Sequence, residues 1–573
     1  MKKFYMIAAA MLASTAMLVQ AQESQLANVK SLWGKALVCS GEKTTTIGGR
    51  LIASTDGNLY MIANAGTKAI DNIITLGDEQ IASGTDYTGN GYNLNFILSK
   101  LGKDGSHLWT VSSTTGDTYS NEQWGTATPD GGIIVAFKVR HTQGHVTDKI
   151  NFIDAKGDNT SLDWVYEDPN HKRKENGAVM KVSAEGAIEW VKMIEMDDKP
   201  QPKATYYTTN TPTGLSLYGI VSDKEGNLYL GGRMYTEMTV YRADGSAVTI
   251  APHNVTNWDG DPQQLVGNTF ILKLDADGNY LTHFVSGGES TCDGIRQLLI
   301  KDNKLYCLLT LKGKRNTQIM MGDKGFTPVS DYYSYATMRI DLNLNNVDWF
   351  NVYESSLPKS AINIPGMSFT KDAMWIYGQV KNEIKIGDLT LTTQHTRDAM
   401  LLKANPETGE LINGTVKQQN QTGYFGAFED QDNNLYAPTF SLFGPLKLEK
   451  INKETLQVED QVELFPYTAT AQNVTVDKNT LFAMSRFKGN NLSSIPGDNP
   501  FTVSSPGYAC LVSAFKIPFQ TATAVEAMEV EKTIVATEYY NVQGLQSKTP
   551  WEGINIVVTK YSDGSRTTKK VLK

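Results

Sequence analysis

Long basic runs, catalytic signatures and a second long apolar stretch are all missing from this chain. With 53 Lys and Arg against 61 Asp and Glu, the formal charge is −8. A net negative chain whose one basic cluster, His171-Lys172-Arg173-Lys174, reads as a solvated loop tip offers no extended electrostatic footprint for nucleic acid, so none is expected as a partner. No His-Glu-x-x-His, Gly-x-Ser-x-Gly or Gly-x4-Gly-Lys-Ser/Thr occurs, which removes the common zinc peptidase, serine hydrolase and P-loop readings. Only seven histidines and four cysteines are present in 573 residues.

The one apolar run, at residues 6–19, follows Lys2 and Lys3 and precedes a Val19-Gln20-Ala21 end. That is the pattern of a secretory signal over 1–21, too short to span a bilayer comfortably. Cleavage would leave 51 basic against 61 acidic residues, and a mature chain with no transmembrane segment in the periplasm, on the cell surface or outside the cell. Cys39, Cys292, Cys307 and Cys510 would then meet an oxidising compartment. Cys292 and Cys307 lie on two arms of one hairpin, with Cys307 opposite about Leu298. Six residues of strand, roughly 20 Å, would separate the two, whereas a disulfide needs Cα atoms within about 7 Å. Four buried thiols are expected.

What the chain has in abundance is a repeated two-hairpin pattern. The second hairpins centre on Asp56-Gly57-Asn58, Asp130-Gly131-Gly132, Glu225-Gly226-Asn227, Asp302-Asn303, Lys371-Asp372, Asp432-Asn433-Asn434 and Asp477-Lys478-Asn479. Short apolar runs without helical spacing flank each turn, for example Leu59-Tyr60-Met61-Ile62 and Met374-Trp375-Ile376-Tyr377, and read as buried strands. Asp-Gly and Asn-rich turns tolerate positive φ, as tight hairpins require. First hairpins recur at 95–111, 178–193, 270–285, 336–352, 400–416 and 446–464, several with Trp after the turn (Trp109, Trp190, Trp349). The missing seventh is split: residues 508–515 supply one arm and residues 31–37, with Trp33, the other. A chain that begins and ends in complementary halves of one unit closes into a ring and hides its sheet edges.

On these residues the chain resembles bacterial secreted propeller repeats, written D-x-x-G-N-x-Y-V-x-G followed by D-x-F-x-x-K-x-x-x-x-G-x-x-x-W. The likeness spans about residues 31–518 and is clearest at 223–232 with 268–284 and at 398–411. It implies an all-β, seven-bladed β-propeller closed by strand exchange between the two termini. Domains are expected as a signal at 1–21, the propeller at 22–519, a linker at 520–537 and a small β module at 538–573. The last segment, with Tyr540-Asn541-Val542-Gln543-Gly544, Gly553-Ile554-Asn555-Ile556-Val557-Val558 and a Lys-rich end, resembles the C-terminal sorting domain of Bacteroidetes type IX secretion substrates. It departs from that pattern at Leu545-Gln546-Ser547 and at Asn555.

In the propeller register the long segments 65–94, 141–177, 234–267, 312–335, 381–397 and 488–507 leave on one face, and tight turns occupy the other. Long loops on a rigid scaffold are where binding residues gather. Three of these segments carry a Gly-Asp turn (Thr75-Leu76-Gly77-Asp78, Met320-Met321-Gly322-Asp323, Lys385-Ile386-Gly387-Asp388) and are expected to add a hairpin to a blade. Aromatic residues assigned to this face are Trp124, Trp164, Tyr166, Tyr206, Tyr207, Trp258, Tyr332, Tyr333 and Tyr424, with Asp259 beside Trp258. Rings beside hydrogen-bonding side chains suit glycan or peptide recognition, although rings that only pack loop bases are commoner. His141 and His145, with Asp148 or Asp154, are the weak metal candidates, and solvated loop histidines are the ordinary reading. Asp275-Ala276-Asp277-Gly278-Asn279 opens like a calcium loop but lacks the later acidic ligand, so a plain turn is expected. The expectation is a monomeric, non-enzymatic binding propeller without cofactor. A propeller glycoside hydrolase or lyase with carboxylates at the funnel mouth, or a purely structural surface protein, is the alternative.

Overall fold

The computed structural model describes residues 24–572 except 40–43, 68–72, 84–94, 115–117, 141–148, 164–173, 198–212, 254–255, 259–260, 289–290, 313–316, 329–332, 354–360, 387, 419–421, 442–443, 466–469, 494–499, 520, 523–533, 542, 544 and 562–565. Apart from a single 3-10 turn at Gln25–Asn28, the described elements are strands. Pairing gathers most of the described strands between 30 and 516 into seven antiparallel sets, the blades of a β-propeller, and leaves the remainder as added hairpins.

Blade one is Thr44–Ala53, Leu59–Thr67, Asn95–Leu101 and His107–Ser113; blade two is Thr118–Ala127, Ile133–Arg140, Lys174–Val182 and Ile188–Met196. Blade three is Thr213–Ser222, Leu228–Met234, Asn268–Leu274 and Tyr280–Val285; blade four is Thr291–Lys301, Lys304–Lys312, Tyr333–Asp341 and Val347–Tyr353. Blade five is Ala361–Phe369, Met374–Lys381, Asp398–Ala404 and Leu411–Lys417. Blade six starts with two short pieces, Thr422–Tyr424 and Phe428–Asp430, followed by Leu435–Ser441, Leu446–Ile451 and Val458–Phe465. Blade seven is Thr470–Asp477, Thr480–Ser493 and Thr502–Lys516, and its outermost strand is Lys30–Cys39 from the other end of the chain.

That last pairing closes the ring. Trp33 lies opposite Ala514 and Leu37 opposite Cys510, and the innermost strand of blade seven packs on the innermost strand of blade one. Trp33, Leu37 and Cys39 are buried with Leu59, Met61, Phe482 and Val512. The cysteines follow the expected register, Cys307 lying opposite Leu298. Cys39, Cys307 and Cys510 are buried thiols, and burial pushes Cys39 and Cys510 up to about 12. The Cys292 side chain lies outside the described residues.

The repeated residues have clear local tasks. In blade three the Asp223 carboxylate accepts the Asn227 N–H (2.8 Å) and side-chain amide (2.9 Å), while Gly226 takes φ +84°. The same bonds recur from Asp275 to Asn279 and from Asp430 to Asn434. Such side-chain bonds let the chain reverse within five residues. The calcium-like turn at 275–279 is this hairpin turn.

Other repeated residues tie each blade to the next. Lys100 of blade one reaches the carbonyls of Gly131 and Ala184 in blade two. Lys273 reaches Leu342 of blade four and Lys403 reaches Lys453 of blade six. The Tyr60 hydroxyl bonds the Gly131 carbonyl, and Tyr229 that of Leu342. The outer-strand tryptophans sit over the turn glycine of the following blade: Trp33 on Gly105, Trp109 on Gly186, Trp190 on Gly278 and Trp349 on Gly409. Trp33 and Trp109 also donate their indole N–H to carbonyls there, Lys103 at 2.8 Å and Ala184 at 3.0 Å.

The Gly-Asp segments do form hairpins. Ile73–Leu76 with Glu79–Ser83 extends the closing strand of blade seven, with Leu76 opposite Leu37. Ile319–Met321 with Lys324–Phe326 joins Gly287–Gly288 at the edge of blade three. Glu383–Ile386 and Leu389–Thr392 pair with each other. Two more long segments behave alike without the Gly-Asp signal: Lys149–Ile153 with Asn159–Asp163 extends blade one, and Met238–Tyr241 with Ala247–Ile250 extends blade two. An insertion thus adds to the outer edge of the preceding blade, where unpaired backbone groups await partners.

Beyond the ring, Thr521–Ala522 pairs with Phe428–Asp430. The C-terminal module is a four-stranded sheet of Ile534–Tyr540, Gln546–Ser547, Ile554–Tyr561 and Arg566–Leu572. Both Thr521–Ala522 and the start of Ile534–Tyr540 fall inside the stretch read from sequence as linker. Val- and Ala-bearing chain without turn residues gives no sign of where a short strand begins.

Candidate functional site at the ring axis and loop face

Consecutive antiparallel strands place the connections within the long segments and those between blades at one end of the ring. The other end holds the Asp-capped turns. Of the residues assigned to the loop face, Trp164, Tyr166, Tyr206, Tyr207, Asp259 and Tyr332 lie outside the described residues, as do His141, His145 and Asp148. Trp258 ends the strand Thr256–Trp258 and pairs with Asp261, and Tyr333 opens the strand Tyr333–Asp341.

Two aromatic assignments need correction. Tyr424 is 1 % exposed on the innermost strand of blade six, with its hydroxyl toward the buried Glu449 carboxylate at 3.4 Å. Burial, and then the Glu449 charge, push its phenol well above the ordinary range. Lys417 pairs with the same carboxylate, so Tyr424 belongs to a buried polar anchor and not to an open face. Trp124 sits in the innermost strand of blade two and not on a long loop. Asp154 is also spent: it accepts the N–H groups of Lys156 (2.8 Å) and Asp158 (2.9 Å), which fixes the turn of an added hairpin.

The ring axis is built by a feature that the sequence reading missed. Six of the innermost strands carry a register shift midway, at Gly48/Arg50, Tyr119/Gln123, Leu217/Gly219, Ile295/Gln297, Asn363/Gly366 and Ala471/Asn473. A bulge bends the strand and re-aims the side chain that follows it. Asn473 of blade seven thereby accepts the Leu51 N–H of blade one at 2.8 Å. Gln297 of blade four accepts the Met367 N–H of blade five at 2.7 Å.

Arg50 occupies the same position in blade one. Its guanidinium lies 3.7 Å from the ring centroid of Trp124 in blade two. It also feels the phenol of Tyr377, which belongs to blade five on the far side of the ring. Burial pulls the guanidinium down to about 10, and Tyr377 works in the opposite direction. The Tyr377 hydroxyl donates to the Met367 carbonyl at 3.3 Å. It fills the space over Gly366, where a Cβ would stand 2.7 Å from that oxygen and 2.8 Å from Gln297 Oε1. Burial raises the Tyr377 phenol above its ordinary value, against the Arg50 charge. The indole N–H of Trp124 is buried with no acceptor. Farther round, Tyr218 lies between Arg296 (4.4 Å) and Arg233 (5.7 Å). Those two guanidiniums also donate to Thr310 Oγ1 (2.6 Å) and Ser216 Oγ (3.4 Å).

The only sequence sign of Arg50 is a charged residue after Gly48-Gly49 inside an otherwise uncharged strand. Among the described residues no group of three His, Cys, Asp or Glu side chains could hold a metal ion.

No family model matches the chain, and no curated protein does. Solved structures similar to it include a protein of unknown function from Dyadobacter fermentans, at 11 % identity and TM-score 0.33 over 70 % of this chain and 96 % of that one. BamB from Moraxella catarrhalis is 12 % identical with TM-score 0.29, covering 86 % and 94 %. The quinohemoprotein alcohol dehydrogenase from Comamonas testosteroni is 12 % identical with TM-score 0.34, covering 87 % and 78 %.

Proposed function

We propose that this protein is an exported, non-enzymatic binding propeller that holds a glycan or a peptide on its loop face. One observation carries the reading. The repeated polar residues Asp223, Asp275, Asp430, Lys100, Lys273, Lys403, Tyr60 and Tyr229 are each bonded inside a turn or to the next blade. The repeat is therefore scaffold, and what distinguishes one blade from another is its connections at the opposite end. Unlike segments on a like framework are the usual place for recognition. Export rests on the signal-like 1–21 segment, and surface delivery on the resemblance of the tail to sorting domains. Among the described residues, no helix is long and apolar enough to cross a membrane.

Glycan and peptide arrays probed with the purified protein test the binding reading. Selective binding is expected, and Trp164→Ala or Trp258→Ala should weaken it about tenfold, the effect of truncating a central aromatic contact. Turnover of an array glycan, or binding untouched by both changes, would sink the proposal. N-terminal sequencing of protein recovered outside the cytoplasm should begin at Gln22.

A further inference from the structure

We propose that the ring axis is a binding site for a single carboxylate, with Arg50 supplying the charge and Trp124 and Gln297 the flanking donors. The first reason is the state of Arg50. Its side chain is half-buried between the Trp124 ring of blade two and the Tyr377 phenol of blade five, and among the described residues it has neither a hydrogen bond nor an ion pair, only the Trp124 ring. Charges removed from water ordinarily find a partner of opposite sign. A cation–π contact engages the face of the guanidinium and leaves its fork of N–H donors unanswered. The depressed guanidinium agrees with a cation held without its counter-charge.

The second reason is the company it keeps. The indole that backs the guanidinium has its own N–H without an acceptor. On the opposite wall the Gln297 carbonyl is committed to the Met367 N–H, so what that amide offers the axis is its NH2 group. The Tyr377 hydroxyl already donates to Met367. The Arg50 fork and the Trp124 indole are thus donors that lack an acceptor among the described residues.

One charge and a planar fork select the ligand class. A carboxylate matches a guanidinium with two parallel hydrogen bonds, and a monoanion balances one cation. A dianion would call for a second guanidinium. Arg233 and Arg296, on blades three and four, are turned onto Tyr218, Ser216 and Thr310. The site does not depend on the loop-face reading.

Calorimetry and thermal melting of the full chain test it, with acetate, glucuronate and N-acetylglutamic acid α-amide as single-carboxylate probes and glucose and sulfate as controls. Saturable binding and a raised Tm are expected with at least one carboxylate and not with the controls. The carboxylate that binds most tightly tells whether a free acid, a sugar acid or a peptide side chain is the natural source. Arg50→Gln should abolish the carboxylate-dependent shift and weaken binding at least tenfold. Its unliganded Tm should equal or exceed that of the parent, because a half-buried charge without a counter-charge has gone; a structural role would lower it. Trp124→Phe, which keeps the ring and drops the N–H, should weaken binding a few-fold and serves if Arg50→Gln fails to fold. The proposal is overturned by a parent protein that binds none of the carboxylates, by equal affinity for sulfate, or by Arg50→Gln binding unchanged. Binding of a neutral array ligand should be untouched by Arg50→Gln, so failure here and failure of the loop-face reading are separately visible.

Discussion

Gly186 and Trp109 show what a single repeated residue does in this ring. Gly186 takes φ +87°, and a Cβ there would stand 2.6 Å from the Ala155 Cβ and 2.7 Å from the Trp109 ring. Backbone strain and overpacking act together, so Gly186→Ala should cost about 2–4 kcal/mol, read as a lowered midpoint in urea. Trp109→Ala should cost about 3–5 kcal/mol, since that ring is 8 % exposed and its N–H bonds Ala184. If the two residues act through one contact, the double variant will fall short of the sum of the singles. The motif Gly-x-x-x-Trp was legible from sequence. Its partner was not, because the Trp meets the glycine of the next blade, roughly 75 residues along the chain, and not the one in its own turn. Tyr424 was misplaced for a related reason: an aromatic at the end of a short strand looks the same whether a loop or a buried Glu449 awaits it.

At the scale of the hairpin, carboxylates lock turns and pair with lysines that cross to the neighbouring blade. Burial works against the charge of Asp56, but Lys100 at 2.8 Å and the Asn58 N–H outweigh it and hold the carboxyl below its ordinary value. Asp130 and Asp348 are held low in the same manner, by Thr128, Gly132 and Lys181 in one case and by Lys304 and Arg339 in the other. A depressed folded pKa stabilises the fold above the unfolded carboxylate value, about 3.9, and that contribution is lost as pH falls through the folded value. The melting temperature should therefore hold steady from pH 7 to about 5 and drop below about pH 4. Asp56→Asn should flatten part of the acid slope, by about 1 kcal/mol or less given that Asp56 is 40 % exposed. A variant with an unaltered acid profile would remove Asp56 from the account. Strand existence and turn positions were readable at this scale from apolar runs and Asp-Gly-Asn signals. The bulges were not, since an extra residue in an innermost strand leaves no periodic trace in a segment of ten residues.

The whole molecule depends on a pairing between its two ends. Lys30–Cys39 forms the outer edge of blade seven, and Trp33 there makes the same turn contact with blade one that Trp109 makes with blade two. Removing residues 24–39 should expose the edge of Thr502–Lys516 and uncover Phe482, Met484 and Val512. Size-exclusion chromatography is expected to show aggregate in place of the compact species. A soluble, cooperatively melting truncation would refute closure as the source of stability. The sequence by itself determined the all-β class, the turns, the split unit and the pairing of the ends, because each is written in local chemistry and in a repeat that counts itself. Tertiary structure alone decided that the repeated Lys, Tyr and Trp bind the neighbouring blade, that Tyr424 is core, and that Arg50 meets Trp124 and Tyr377 at the axis. Those contacts join residues about 25 to more than 300 positions apart, where proximity comes from the packing of strands and blades and not from spacing along the chain.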